Sequence, residues 1–134
     1  FIARGGQPVR TAPHYFVLGD SPWYQHLAVD MRAIRIPLTA FPEHATSITI
    51  PDSFIATADE PTGEPDIDRH HQHVYLLDEL DDLLVTTPIP TPDWRPEHAT
   101  DWRTWPTATF AELQLWTDEP IAEWLTAATG SDTQ

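Results

Sequence analysis

The amino-acid sequence predicts a single α+β domain over residues 1–134, with a mixed, mostly antiparallel sheet and short helices. Segments with strand character outnumber those with helical character, and the helical segments are short. The chain contains 14 prolines, which favour many short elements joined by fixed turns over a helical bundle. A length of 134 residues supports one hydrophobic core, and no internal repeat is evident.

Three segments in the first half of the chain have strand character. His14–Leu18 is a short apolar run between a proline and a glycine, which is typical of a buried strand. Ala33–Leu38 alternates apolar and polar residues, and residues 47–50 do the same before Pro51 interrupts them. We expect the last two segments to be neighbouring strands.

Residues 107–116 form the most regular strand pattern. Ala111, Leu113 and Leu115 share one face, so the other face includes Glu112 and Gln114. Most charged side chains are exposed, so Glu112 on a solvent-facing surface is one interpretation. In the other interpretation this face is the wall of a cleft and Glu112 is catalytic.

The segments between and after the predicted strands have helix or loop character. Residues 21–27 and 77–84 predict short helices, the second with leucines at helical spacing and acidic residues opposite. The last helix is predicted to start around Asp118–Pro120 and to end at Gly130. Residues 58–68 are polar and predict a mobile surface loop, and residues 93–106 predict an aromatic loop.

The composition excludes several classes of protein. The chain has 21 acidic residues and 7 arginines but no lysine, for a formal charge of −14. This charge argues against a general nucleic-acid binder. There is no cysteine, no membrane-spanning apolar run and no signal peptide, so we expect a cytoplasmic protein without a membrane partner. The chain begins with Phe1, and we expect that an N-terminal segment is missing.

Histidines and carboxylates are concentrated in residues 66–73. His70, His71 and His73 follow two aspartates, and imidazole with carboxylate is a ligand set for zinc, nickel or copper. The segment lacks the His-Glu-x-x-His pattern, and its neighbours resemble loops. A solvated polar loop is therefore the favoured interpretation, no metal is expected, and a metal-dependent enzyme is the third hypothesis.

Several short motifs follow one another along the chain in an order that is typical of a known protein family. A Gly-Gly pair precedes an Ala-Pro-His-Tyr-Phe strand, a Ser-Pro-Trp turn follows, and an Ala-Glu-Leu strand stands before a helix that starts with proline. In this order the motifs resemble those of DarT-type ADP-ribosyltransferases. They lie in Arg4–Gly6, Ala12–Phe16, Ser21–Tyr24, Ile48–Asp52 with Ile55 and Ala56, Asp93 and Trp94, and Ala111–Leu113 with Pro120.

The resemblance implies an ADP-ribosyltransferase-like fold, and NAD as a substrate that is cleaved at the nicotinamide–ribose bond. It also implies that Glu112 is the catalytic acid. The residues implied in NAD binding are the arginines for the pyrophosphate, the aromatic residues for the planar rings, and Ser21; they are Arg4, Arg10, Tyr15, Phe16, Ser21 and Trp23.

Two features depart from the family pattern. The family's NAD-holding opening motif is absent, consistent with a missing N-terminal segment, and Thr107–Thr109 stand where the family has basic residues. These threonines and the charge of −14 argue against DNA as the acceptor of ADP-ribose, which leaves a protein, a small molecule or water. The competing hypothesis is a non-catalytic acidic module, of an immunity or mimic type, that binds a basic protein partner.

Overall fold

A computed structural model describes residues 1–19, 33–87 and 110–130, with side chains to residue 126. Four strands form one sheet in the order β1-β4-β2-β3, and every neighbouring pair is antiparallel. The strands are β1 (His14–Val17), β2 (Thr46–Thr49), β3 (Tyr75–Leu76) and β4 (Glu112–Leu115). The predicted combination of a mostly antiparallel sheet with short helices is confirmed.

Strand β4 lies between β1 and β2 and organises the sheet. Leu113 is opposite Phe16 on β1 and Ile48 on β2, and these residues share the face that contributes to the hydrophobic core. Glu112 is opposite Val17 and Thr49, so it belongs to the other face. All four residues of β4 are buried.

The core packs the apolar face of the sheet against residues of the helices and connecting turns. Its buried members are all apolar and come from both halves of the chain: Phe41, Ile48, Ile50, Leu80, Leu83, Ala111, Leu113, Leu115 and Ile121. Phe16 packs edge-on against Phe41 with ring centroids 5.2 Å apart. The predicted core face of β4 is therefore confirmed.

The helices are α1 (Ser53–Ala56), α2 (Pro65–Asp68), α3 (Leu80–Thr86) and α4 (Ala122–Gly130). Short 3-10 turns at Leu77–Glu79 and Glu119–Ile121 lead into α3 and α4. Both helices fall where the leucine spacing and the proline start predicted them. Within the described parts of the chain, no helix has the length and apolar character needed to cross a membrane.

The predicted strand at Ala33–Leu38 is wrong. Residues 33–37 have no regular structure, and Leu38–Ala40 form a 3-10 turn. Pro37 has no N–H to donate to a neighbouring strand, and Ile34 is 52% exposed instead of packing in the core. Strands β4 and β3 pair with the two edges of β2, so neither edge is left for residues 33–38.

The predicted surface loop at residues 58–68 is wrong in its last four residues, which form α2. The carboxylate of Asp68 accepts hydrogen bonds from the backbone N–H groups of Thr62 and Gly63, and from the Thr62 hydroxyl. Ile67 is buried. The predicted helix at 21–27 and the predicted aromatic loop at 93–106 lie outside the described residues.

Candidate functional site

The polar face of β4 is buried. Glu112 is 5% exposed and Gln114 is 2% exposed. Gln114 is paired with Tyr15 on β1 and with Ser47 on β2, so its side chain lies between polar neighbours on the central strand. The interpretation in which Glu112 faces bulk water is therefore wrong.

The Glu112 carboxylate is held through one of its two oxygens. Oε1 accepts a hydrogen bond from the backbone N–H of Ser53 at 3.0 Å and another from Nε2 of Gln114 at 2.9 Å. Among the described residues, no group donates a hydrogen bond to Oε2. A carboxylate has about four acceptor positions, so this buried side chain retains unused acceptor capacity.

A chain of hydrogen bonds fixes the orientation of the Gln114 amide. The indole N–H of Trp116 donates to Ser47 Oγ at 2.9 Å, so the Ser47 hydroxyl donates to Gln114 Oε1 at 2.8 Å. The amide nitrogen then faces Glu112, and it also donates to Thr49 Oγ1 at 2.9 Å. We call these five residues, Ser47, Thr49, Glu112, Gln114 and Trp116, the Glu112 cluster.

An open pocket of about 570 Å³ lies against Glu112. Two exposed aromatic side chains line it: Tyr15 on β1, which is 59% exposed, and Phe54 on α1, which is 86% exposed. Asp52, Ser53 and Ile55 complete the described lining. The pocket therefore combines a buried carboxylate with two aromatic rings that solvent reaches.

Local chain geometry explains why these groups meet. Tyr15 is opposite Gln114, so it lies on the same sheet face as Glu112. Asp52 caps α1 by accepting a hydrogen bond from the backbone N–H of Ile55 at 2.8 Å. The cap turns the chain so that the N–H of Ser53 meets Glu112, and Phe54 follows directly.

The structure brings Tyr15 and Glu112 together in one pocket but positions Arg4 elsewhere. Both terminal nitrogens of Arg4 contact the carboxylate of Glu79, at 2.6 and 2.8 Å. This hydrogen bonding raises the pKa of Arg4 and lowers the pKa of Glu79. Arg4 lines a different pocket, together with Glu43 and His44.

Arg10 and Phe16 also lie away from Glu112. Nη1 of Arg10 contacts Oδ1 of Asp118 at 2.6 Å, and His14 Nε2 contacts the same oxygen at 2.6 Å. These hydrogen bonds, the one from His14 foremost, lower the pKa of Asp118. Phe16 lies on the core face of the sheet. Ser21 and Trp23 lie outside the described residues.

Each of the three histidines contacts a hydrogen-bonding or ring partner, and His70 and His73 share Tyr75. Nδ1 of His70 contacts the Tyr75 hydroxyl at 2.7 Å, Nε2 of His71 contacts the Ala58 carbonyl at 2.8 Å, and His73 packs on the Tyr75 ring. Where the structure describes the chain, no three histidine or carboxylate side chains converge as a metal-ligand set. We call Arg69, His70, Tyr75 and Thr87 the His70 cluster.

Sequence reasoning missed two of the residues that form the pocket: Ser53 and Phe54. Residues 47–50 predict a strand that Pro51 interrupts, and Asp52 before a short apolar run is a signal for a helix start. That signal would have placed Phe54 on a helix beside the strand end. The alternation of residues 107–116 placed Gln114 on the same face as Glu112, but its hydrogen bonds to Ser47 and Thr49 depend on pairing with residues far away in the sequence.

Comparisons with protein-family models, with curated proteins and with solved structures give no match to this chain.

Proposed function

We propose that this chain is an NAD-dependent ADP-ribosyltransferase-like domain of the toxin type. It cleaves the bond between nicotinamide and ribose and transfers ADP-ribose to an acceptor that is not yet identified. One observation carries the proposal: the buried carboxylate of Glu112 borders a pocket lined by the rings of Tyr15 and Phe54, and one of its oxygens has no hydrogen-bond donor among the residues that the structure describes. The motif resemblance assigns the catalytic role to the same residue.

The reaction breaks the C1′–N bond, and the bonding electrons leave with nicotinamide, which becomes neutral. The ribose then carries positive charge in an oxocarbenium-like state. A nearby carboxylate stabilises that charge, and it also accepts a hydrogen bond from a ribose hydroxyl. Glu112 Oε2 performs both roles. The acceptor nucleophile attacks C1′ and releases a proton.

The support of Glu112 suits this role. Two N–H donors hold Oε1, so the carboxylate is oriented before substrate binds, and no donor from the described ranges 1–19, 33–87 and 110–130 occupies Oε2. Burial beneath the pocket reduces screening by water, which strengthens the interaction with a developing positive charge. A carboxylate in bulk water would have neither property.

The test measures NAD consumption and transfer of labelled ADP-ribose with the wild-type chain and with Glu112→Gln. Glutamine keeps an oxygen that can accept from Ser53 and Gln114 but removes the charge. We expect a loss of at least about 100-fold in turnover, in the range found for removing one stabilising group in the transition state. Glu123→Gln is the matched control, because Glu123 is an exposed glutamate on α4. Equal turnover in Glu112→Gln and the control would remove Glu112 from the mechanism.

A non-catalytic acidic interaction module is the second candidate. It is favoured by Asp78, Asp81 and Asp82, which are exposed together at α3 and the turn before it, and by the charge of −14. Such a surface attracts a basic protein. The two candidates differ in one measurement: only the first predicts that NAD raises the melting temperature of the protein.

A further inference from the structure

We infer that a second pocket, between the end of α2 and helix α3, binds a small zwitterion of the amino-acid class. The pocket has a volume of about 350 Å³, and Arg69, Tyr75 and Asp82 line it. In the described lining it shares no residue with the pocket against Glu112. Tyr75 is opposite Ile48 and packs against the core, so it lies on the sheet face away from Glu112. The inference therefore does not depend on the proposed function.

The His70 ring leaves the Tyr75 hydroxyl with a proton to donate. Arg69 Nε donates to Nε2 of His70 at 3.0 Å, so Nε2 carries the lone pair and Nδ1 carries the hydrogen. Nδ1 then donates to the Tyr75 hydroxyl oxygen at 2.7 Å, and within the described ranges no group accepts from that hydroxyl. Burial raises the pKa of Tyr75, so the phenol keeps its proton and can donate it to a ligand.

Arg69 also has a donor nitrogen available to a ligand. Its Nε and Nη2 contact His70, Thr86 and Thr87, whereas Nη1 has no acceptor among the described residues. In that same part of the chain its guanidinium forms no ion pair, although two acidic residues line the pocket with it. The guanidinium and the phenol together offer donors to a carboxylate.

The two acidic residues of this pocket differ in their availability. Both oxygens of Glu79 accept from Arg4, at 2.6 and 2.8 Å. The carboxylate of Asp82 has no hydrogen-bond or ion-pair partner in the part of the chain that the structure describes. Asp82 can therefore accept from an ammonium group on a ligand.

A ligand with both charges matches this lining better than a ligand with one. Its carboxylate accepts from Arg69 and Tyr75, and its ammonium group donates to Asp82. A bare anion would meet the negative charges of Asp82 and Glu79, which the ammonium group offsets. The side chain of Leu83 supplies an apolar surface for the carbon chain of the ligand.

The experiment measures binding of related compounds to the whole chain by calorimetry. Leucine carries both charges on one carbon atom, and its isomer ε-aminocaproate carries them at opposite ends of the chain. N-acetylleucine keeps only the carboxylate, and leucinamide keeps only the ammonium group. We expect one of the zwitterions to bind at least about tenfold more tightly than either single-charge compound, as the loss of a hydrogen bond between charged groups implies.

Variants assign each charge to its residue. Asp82→Asn should weaken binding of the zwitterion about tenfold. Asp81→Asn is the matched control, because Asp81 is the neighbouring exposed aspartate on α3 and does not line the pocket. Arg69→Gln and Tyr75→Phe should each weaken binding by a similar factor. The second variant keeps the ring that packs on His73 and removes only the hydroxyl.

The outcomes are distinct. Tighter binding of a zwitterion that is weakened in Asp82→Asn and Tyr75→Phe, but not in Asp81→Asn, supports the inference. Failure of both zwitterions to bind overturns it. Binding of N-acetylleucine as tight as that of the zwitterion would indicate a site for anions and also overturns it. Equal weakening in Asp81→Asn and Asp82→Asn would assign the binding to the general charge of α3, with the same consequence.

Discussion

The His70 cluster and the Glu112 cluster differ in how many hydrogen bonds their central buried side chain makes. In the His70 cluster, Nδ1 of His70 pairs with Tyr75 and Nε2 accepts from Nε of Arg69 at 3.0 Å, so both ring nitrogens are occupied. In the Glu112 cluster, Oε1 has two donors and Oε2 has none among the described residues. Both side chains are nearly inaccessible, at 3% and 5% exposure. Burial is therefore common to the two side chains, and they differ in the hydrogen-bonding capacity that Glu112 retains beside an open pocket.

The largest effect on stability is expected from Gln114→Leu, which breaks the Glu112 cluster at its centre. Ser47 loses its acceptor, and Glu112 and Thr49 each lose a donor. Each buried polar group left unsatisfied costs ~1–3 kcal/mol, so we expect the free energy of unfolding to fall by about 3 kcal/mol. Urea denaturation measures this loss.

A double-mutant cycle with Ser47→Ala sharpens the result. Ser47 and Gln114 share one hydrogen bond. The double mutant should therefore lose less free energy of unfolding than the sum of the losses in the two single mutants. Additive losses would show that the two side chains act independently and that the cluster is not a connected network.

An intermediate effect is expected from pH at the His70 cluster. Burial foremost, with the charges of Arg69 and His73, lowers the pKa of His70, so the folded protein keeps this imidazole neutral. Below the ordinary histidine pKa of about 6.5, the unfolded chain binds a proton that the folded chain does not. The free energy of unfolding should therefore be insensitive to this group above that pH and should fall below it. The slope should be at most about 1.4 kcal/mol per pH unit.

Unfolding curves between about pH 7 and pH 5 measure this dependence. In His70→Gln, the amide can accept from Arg69 and donate to Tyr75 but does not titrate, so the curve should be flatter than that of the wild type. His44→Gln, at an exposed histidine, should keep the wild-type slope. A slope that is the same in all three proteins would contradict the neutral assignment of His70.

The smallest effect is expected from Glu79→Gln, which removes the charge that holds Arg4 near the protein surface. Exposed ion pairs contribute little to stability and are screened by salt. The melting temperature should fall slightly at low ionic strength, and the difference from the wild type should vanish at high ionic strength. A loss as large as that of Gln114→Leu would show that this pair belongs with the buried clusters.

Local sequence patterns predicted the elements whose apolar residues pack in the core. Leucine alternation in β4 placed Leu113 and Leu115 in the core, and the leucine spacing of residues 77–84 anticipated the turn and helix with Leu80 and Leu83 buried. The same alternation at 33–38 failed, because a strand also needs a free edge to pair with. Sequence alternation carries no information about that edge.

The candidate site could be predicted only in part for a related reason. Glu112 stood out as a carboxylate in an otherwise regular strand, and the motif order placed Tyr15 with it. The surroundings of Glu112 include Gln114 on the same strand and Ser47 and Thr49 on β2. Gln114 is 67 residues from Ser47 and 65 residues from Thr49 in the sequence. Pairing across such a distance is a property of the fold and cannot be inferred from local spacing.

The position of β4 in the sheet has a consequence for how this chain folds. Strands β1 and β2 are not neighbours, and β4, the last of the four described strands, joins them. During synthesis on a ribosome, β4 can pair with β1 and β2 only after residue 115 has emerged. These two pairings close loops of about 65 to 100 residues. Glu112 acquires its donors in that same late step, so in a partly synthesised chain the pocket lacks its buried carboxylate.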